Sequence, residues 1–415
     1  MSKSLIVSSG AAVNTADNTT RFMPITGIPA VATSEASYEA TTRSAGIFSN
    51  LFSYVTANTT LVTSTITLRK SRSDTSVTVT YTSGQTGIKE DTSNTASFAN
   101  TDEIDHEVTV ANDTSGTTNL SVSVLGIQFD PSVTTDCMTD FGCFLTNSFA
   151  SANARIIPTG TVQQVALSET TGAKYRIRNS FVTSNLFSTV INNSQTGGST
   201  FTMRTRKNGA NGNQSVVWTG GATGQLEDTS NSDTLAVGDD YNYDGVRSGA
   251  GSIDVTSIST MCLSTNNIFP LLAGAGGTTT QIAFNNSRYF GISGHAIPTS
   301  TESSIQIYPR FDFTAKELEC YLDVNNITTS ATVVALRVNS SNSALTISIA
   351  AGATGVFSDT TNSVSIALGS DEINYIATTP NTSGNISLRW ISILGETAST
   401  PVVNNVFRRR IRKFF

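Results

Sequence analysis

Thr86-Gly87-Ile88-Lys89-Glu90-Asp91-Thr92-Ser93-Asn94 returns as Thr223-Gly224-Gln225-Leu226-Glu227-Asp228-Thr229-Ser230-Asn231 and again as Thr354-Gly355-Val356-Phe357-Ser358-Asp359-Thr360-Thr361-Asn362. The shared pattern is Thr-Gly-x-x-x-Asp-Thr-x-Asn, and its glycines stand 137 and 131 positions apart. A match at near-constant long spacing is the mark of a repeated structural unit. The register extends upstream, where Arg21, Arg155 and Arg288 open similar segments 134 and 133 positions apart. Ser34-Glu35, Ser168-Glu169 and Thr301-Glu302 follow, then Asn50-Leu51-Phe52, Asn185-Leu186-Phe187 and the looser Glu317-Leu318-Glu319. Downstream, Asp102-Glu103-Ile104, Asp239-Asp240-Tyr241 and Asp371-Glu372-Ile373 lead into the last strands of each copy. The chain therefore divides into three homologous domains, 1–131, 132–264 and 265–397, followed by a tail, 398–415.

Within each copy the apolar period is two. Val77 to Tyr81, Phe201 to Arg206 and Leu345 to Ile349 alternate apolar residues with Thr, Ser or charge, the pattern of a strand with one wet face. Turn formers break the strands at intervals of about 10 residues, and no segment holds a 3.6 period over three turns. Only 13% of residues are charged, while 38% are hydrophobic and 8% aromatic. That balance disfavours long helices, which need charged helix formers, and disfavours disorder, because a core can still be built. The predicted fold is all-β: three tandem antiparallel jelly-roll β-sandwiches of about eight strands each.

The stretch Leu336 to Asp371 resembles the jelly-roll modules of bacteriophage structural proteins and spore-surface tips that belong with the complement/tumour-necrosis-factor-like fold. It carries Leu-Arg and an Asn turn, an alternating strand, Ala-Gly-x-Thr-Gly-x-x-x-Asp-Thr-x-Asn-Ser-Val and Gly-Ser-Asp. The resemblance covers the second half of each repeat by motif and the first half by strand count and length. It is clearest in the third repeat, good from Met203 to Asp240, and weakest in the first. There Arg69-Lys70-Ser71-Arg72 replaces the turn and Asn100-Thr101-Asp102 replaces the Gly-Asp step. Such modules usually trimerise about a threefold axis, so the resemblance implies an intramolecular pseudo-trimer, with a homotrimer of nine modules as the alternative.

The repeated motif has a structural account. Gly87, Gly224 and Gly355 supply a positive φ, while Asp91, Asp228 and Asp359, with Asn94, Asn231 and Asn362, close the next turn through their side chains. A calcium site is the competing reading, because Asp91, Asp102 and Glu103, or Asp228, Asp239 and Asp240, could converge as oxygen ligands. Calcium takes about six or more oxygens and each repeat offers only two or three carboxylates, so no metal or other cofactor is expected. His106 and His295 do not occupy equivalent positions, and Gly291-Ile292-Ser293-Gly294-His295 departs from a nucleophile elbow in spacing. Phosphate loops and dinucleotide fingerprints are absent from the sequence. No catalytic residue is assigned, and the expectation is a protein that is not an enzyme. Cys137, Cys143, Cys262 and Cys320 are too few in this length for a disulfide framework, although Cys137 and Cys143 could pair locally.

The tail breaks the pattern. Phe407, Arg408, Arg409, Arg410, Arg412, Lys413, Phe414 and Phe415 make it basic and aromatic, so a net charge of −6 resolves into an acidic body at −11 and a tail at +5. An acidic body repels phosphate, which confines any nucleic-acid contact to the tail. Arg and Phe are favoured interface anchors, and the tail is read as a docking peptide for a capsid or other virion protein. No signal peptide and no apolar run long enough to span a bilayer occur in the sequence, so the chain is expected to be made in a host cytoplasm and to reside in a virion. The functional expectation is a phage capsid decoration or surface-appendage protein. The alternative is a receptor- or glycan-binding module of a tail fibre or adhesin, with Trp218, Tyr241 and Tyr243 as candidate contacts.

Overall fold

The computed structural model describes residues 3–398 apart from 28–29, 43, 115, 134–135, 138–142, 150–154, 160–168, 170–173, 265–266, 275–279, 284, 296–297 and 381–382. The first third forms β1 (Ser4–Ala16), β2 (Thr19–Met23), β3 (Ala40–Thr41), β4 (Gly46–Asn58), β5 (Ser64–Lys70), β6 (Ser73–Tyr81), β7 (Gly87–Phe98), β8 (Glu103–Val110) and β9 (Asn119–Pro131). The second forms β10 (Asp136–Cys137), β11 (Cys143–Ser148), β12 (Arg155–Pro158), β13 (Tyr175–Arg176), β14 (Phe181–Asn193), β15 (Thr200–Lys207), β16 (Ala210–Thr219), β17 (Gly224–Leu235), β18 (Asp240–Arg247) and β19 (Ile253–Leu263). The third forms β20 (Ile268–Gly274), β21 (Thr280–Ala283), β22 (Ser287–Phe290), β23 (Gly294–His295), β24 (Phe313–Asn325), β25 (Thr332–Val338), β26 (Ser341–Ile349), β27 (Gly355–Ile366), β28 (Ile373–Thr378) and β29 (Asn385–Glu396).

Each third builds two sheets, and the two have the same order in every copy. The first repeat places β1-β9-β4-β7 against β2-β8-β5-β6; the second places β10-β19-β14-β17 against β12-β18-β15-β16; the third places β20-β29-β24-β27 against β22-β28-β25-β26. This is a jelly roll, in which the first and last strands pair in one sheet and most successive connections cross between the sheets, while β5–β6, β15–β16 and β25–β26 stay within one. Every ladder among the described strands stays inside its own third. The alternation seen in sequence is the pleat itself: along β6, Val77, Val79 and Tyr81 are buried while Ser76, Thr78 and Thr80 face outward. β9 and β29 bury residues on both faces, because a second layer covers their outer side.

The same local devices recur at equivalent positions. Asn50, Asn185 and Glu317 adopt φ values of 55°, each at a register shift where β4, β14 or β24 pairs with its neighbour. A bulge residue in the left-handed region suits Asn, which explains the repeated Asn-Leu pair. The hairpin β5–β6 turns on Ser71-Arg72, β15–β16 on Asn208-Gly209 and β25–β26 on Asn339-Ser340, with positive φ at all six residues. Two positive φ values in a two-residue loop define the type I′ hairpin. The first repeat therefore keeps the turn although its sequence departs from the Asn-led pattern, and holds Ser71 and Arg72 in a conformation better suited to Asn-Gly.

Candidate functional site at the repeated turns and the seams between repeats

The aspartate of the repeated motif is fully engaged by donors from its own repeat. Asp91 accepts hydrogen bonds from the backbone N–H of Thr78 at 2.9 Å, Ser93 at 3.2 Å and Asn94 at 3.0 Å, and from Asn94 Nδ2. Asp228 does the same with Ser215, Ser230 and Asn231, and Asp359 with Thr346, Thr361 and Asn362. Burial alone would raise these carboxyls, but the converging N–H donors outweigh it and hold all three below the usual range. Oxygens used in this way are closed off from a cation. Gly87, Gly224 and Gly355 take φ values of 87°, 103° and 115° immediately upstream. The bond to Thr78, Ser215 or Thr346 also crosses from one sheet to the edge strand of the other, so the motif ties the sandwich edge shut.

The second aspartate of each copy serves a different turn. Asp102 accepts from Ala99 N–H at 2.6 Å and Asp239 from Ala236 N–H at 2.7 Å, and Asp371 accepts from Ala367 N–H at 2.7 Å. Lys70 lies 3.0 Å from Asp102, and Lys207 lies 3.0 Å from Asp239. Each carboxylate thus closes its own turn, and among the described residues no cluster of three or more His, Cys, Asp or Glu side chains could hold a metal ion.

Two further constellations were visible in sequence only as spacing. Arg69 donates to Glu35 at 2.9 Å, to the Arg72 carbonyl and to Asp74; Arg206 donates to Glu169, the Gly209 carbonyl and Asn211; Arg337 donates to Glu302, the Ser340 carbonyl and Asn342. One guanidinium per repeat thus clamps the type I′ turn to the short 3₁₀ segment or its equivalent. Asn58, Asn193 and Asn325 each donate to two loop carbonyls and accept one backbone N–H, holding the loop after β6, β16 or β26. The aligned glutamates and the recurrent asparagines carried the signal.

The three sandwiches contact one another in cyclic order. Phe52 on β4 of the first repeat meets Tyr308 of the third, with ring centroids 5.9 Å apart, while Arg310 lies 5.1 Å above the Phe52 ring and 2.8 Å from Glu90. Leu5, Val7 and Val124 join the core of the third repeat there. The third repeat in turn sets Trp390 against Tyr175 of the second, at 6.0 Å, and brings Ile268, Leu272 and Leu394 into that core. Buried Glu319, which aligns with Phe52, faces Arg178 at 3.2 Å. Burial drives the Glu319 carboxyl up to about 7 even with Arg178 and Arg176 beside it. Arg310 and Arg178 stand three residues before β24 and β14, and Arg43 holds that place before β4, outside the described residues. At the last seam the second repeat faces the first across a cleft of about 500 Å³, lined by Thr189, Ile191 and Gln225 on one side and Glu39, Arg72 and Glu103 on the other. Each repeat thus lays its β4-type sheet on the rim of the next, and three such heterologous contacts close a ring.

The remaining sequence candidates fall as follows. Trp218, Tyr241 and Tyr243 are core residues of the second repeat, with Tyr243 hydrogen-bonded to Thr260, so none is presented to a ligand. His106 is buried and lowered to about 4 by loss of solvent. Cys262 and Cys320 are buried. The side chains of Cys137, Cys143 and His295, and the docking residues Phe407 to Phe415, lie outside the described residues. No described helix is long and apolar enough to cross a membrane.

No protein-family model matches the chain, and no curated protein is similar to it. Among solved structures, a Paenibacillus xanthan lyase is 13% identical over 68% of this chain, with a TM-score of 0.19. The match spans 30% of the lyase chain, and so slight a likeness bears on neither fold nor function.

Proposed function

We propose that the protein is a non-enzymatic virion structural component, a phage capsid decoration or surface-appendage protein anchored by its C-terminal tail. The observation that carries this reading is the contrast between an acidic body, at −11, and a terminal segment at +5 rich in phenylalanine. The body supports it physically. Turn carboxylates are consumed by backbone donors, and the recurring guanidinium is clamped within its own repeat. Such a surface suits a hydrated scaffold that needs no cofactor, and electrostatic complementarity leaves specific docking to the tail. Copurification with particles from infected cells tests the reading. Deleting Phe407–Phe415 is expected to abolish incorporation while leaving the far-ultraviolet circular dichroism and melting of the body unchanged. Undiminished incorporation would remove the anchoring role.

A further inference from the structure

The three seams are built on one plan but differ in how they are filled. Tyr54 on β4 and Tyr321 on β24 occupy equivalent positions, and each packs against the core of the neighbouring repeat. The second repeat has Thr189 at that place, and the open cleft lies there. Ile191, at the same cleft, is 42% exposed. The facing wall belongs to the first repeat, where five carboxyls, Glu35, Glu39, Glu103, Asp105 and Glu107, crowd around Arg69 and Arg72. Arg72 reaches Glu39 at 2.8 Å and Glu103 at 3.8 Å, and Arg69 reaches Glu35 at 2.9 Å and Glu107 at 3.1 Å. Asp105 turns into this cluster, is 1% exposed, and has no hydrogen-bond partner on either oxygen. The aligned positions of the other repeats hold Asn242 and Asn374; Asp105 keeps its proton at neutral pH, so the surplus of negative charge comes from Glu35, Glu39, Glu103 and Glu107 set against Arg69 and Arg72.

A surplus of carboxylates beside a cleft with an exposed aliphatic wall calls for a ligand that is cationic and apolar together. The chain supplies one: five basic residues and the phenylalanines lie between Phe407 and Phe415. The described structure ends at Ala398, and the following residues, at about 3.5 Å each when extended, reach some tens of ångströms beyond the body. We infer that the cleft between the first and second repeats receives the C-terminal tail of a second copy of this chain, an arginine against Glu103, the part-exposed carboxylate of the wall, and a phenylalanine against Ile191. The inference rests on the reading of the tail as a docking peptide and names its partner: neighbouring copies link tail to seam on the particle surface.

Sedimentation velocity of the full chain over a concentration series tests it. Association that grows with protein concentration is expected at about 50 mM salt and is expected to vanish near 500 mM, where exposed charges are screened. Thr189→Tyr, which installs the side chain that fills the other two seams, and Arg408→Gln/Arg409→Gln/Arg410→Gln are each expected to weaken association by about tenfold or more. Glu103→Gln, a milder change at a part-exposed position, is expected to weaken it as well and decides the matter should Thr189→Tyr fail to fold. A chain that remains monomeric at every concentration, or associates equally with these substitutions, overturns the inference. Loss of particle incorporation on tail deletion would then still leave the anchoring reading in place, with a different partner.

Discussion

Asp105 shows how one side chain can work against its own repeat. Burial, then repulsion from Glu35 and Glu39, raises its carboxyl to about 9 from an ordinary 3.8. The folded state therefore keeps a proton that the unfolded chain releases near pH 4. Its contribution to stability is complete below that value, declines as pH rises, and levels off above about 9. In the other repeats the buried position is Asn, a neutral group of the same shape. Asp105→Asn is accordingly expected to change the melting temperature little at pH 4 and to raise it by about 5 °C at pH 8.5, as read by differential scanning calorimetry. An equal shift at both pH values would mean that Asp105 is ionised in the folded protein. The sequence marks Asp105 only as the place where the other repeats carry Asn; its behaviour comes from the carboxyls folded around it and from burial.

At the scale of strands and turns, much was legible because backbone geometry dictates residue type. The Asp-Thr-x-Asn segment announced a side-chain-closed turn, and Asp91, Asp228 and Asp359 accept the same set of hydrogen bonds in three copies. The first repeat read as divergent because Ser71-Arg72 and Thr101 replace Asn and Gly, yet Ser71, Arg72 and Thr101 still adopt φ values of 45°, 65° and 84°. Topology and the flanking pairs impose the conformation, and the residues bear the strain. Thr101 is the most costly of these, being β-branched in a region where the second and third repeats have Gly238 and Gly369. Thr101→Gly is expected to stabilise the protein by about 1 kcal/mol in urea denaturation, the relief of strain exceeding the entropy that glycine adds to the unfolded chain. A loss of stability would show that Thr101 is held without strain. The seams were not legible, because Phe52, Arg310 and Trp390 read as ordinary strand or loop residues until the repeats are set against one another.

At the scale of the whole molecule, the repeat in the sequence becomes a ring. A homotrimer would make three identical seams, whereas one chain can let them diverge, and it has: an aromatic and arginine contact, a buried Glu319–Arg178 pair and an open cleft. Divergence of this kind gives a pseudo-symmetric body one distinctive face, which is where the tail of a neighbour is placed. The closed ring underlies both the site and the function proposed for it. Small-angle X-ray scattering in about 500 mM salt tests it most directly, since compactness follows from seam closure alone. A ring of this length predicts a radius of gyration of about 22 Å, whereas a value above about 30 Å, that of three sandwiches strung end to end, would contradict it.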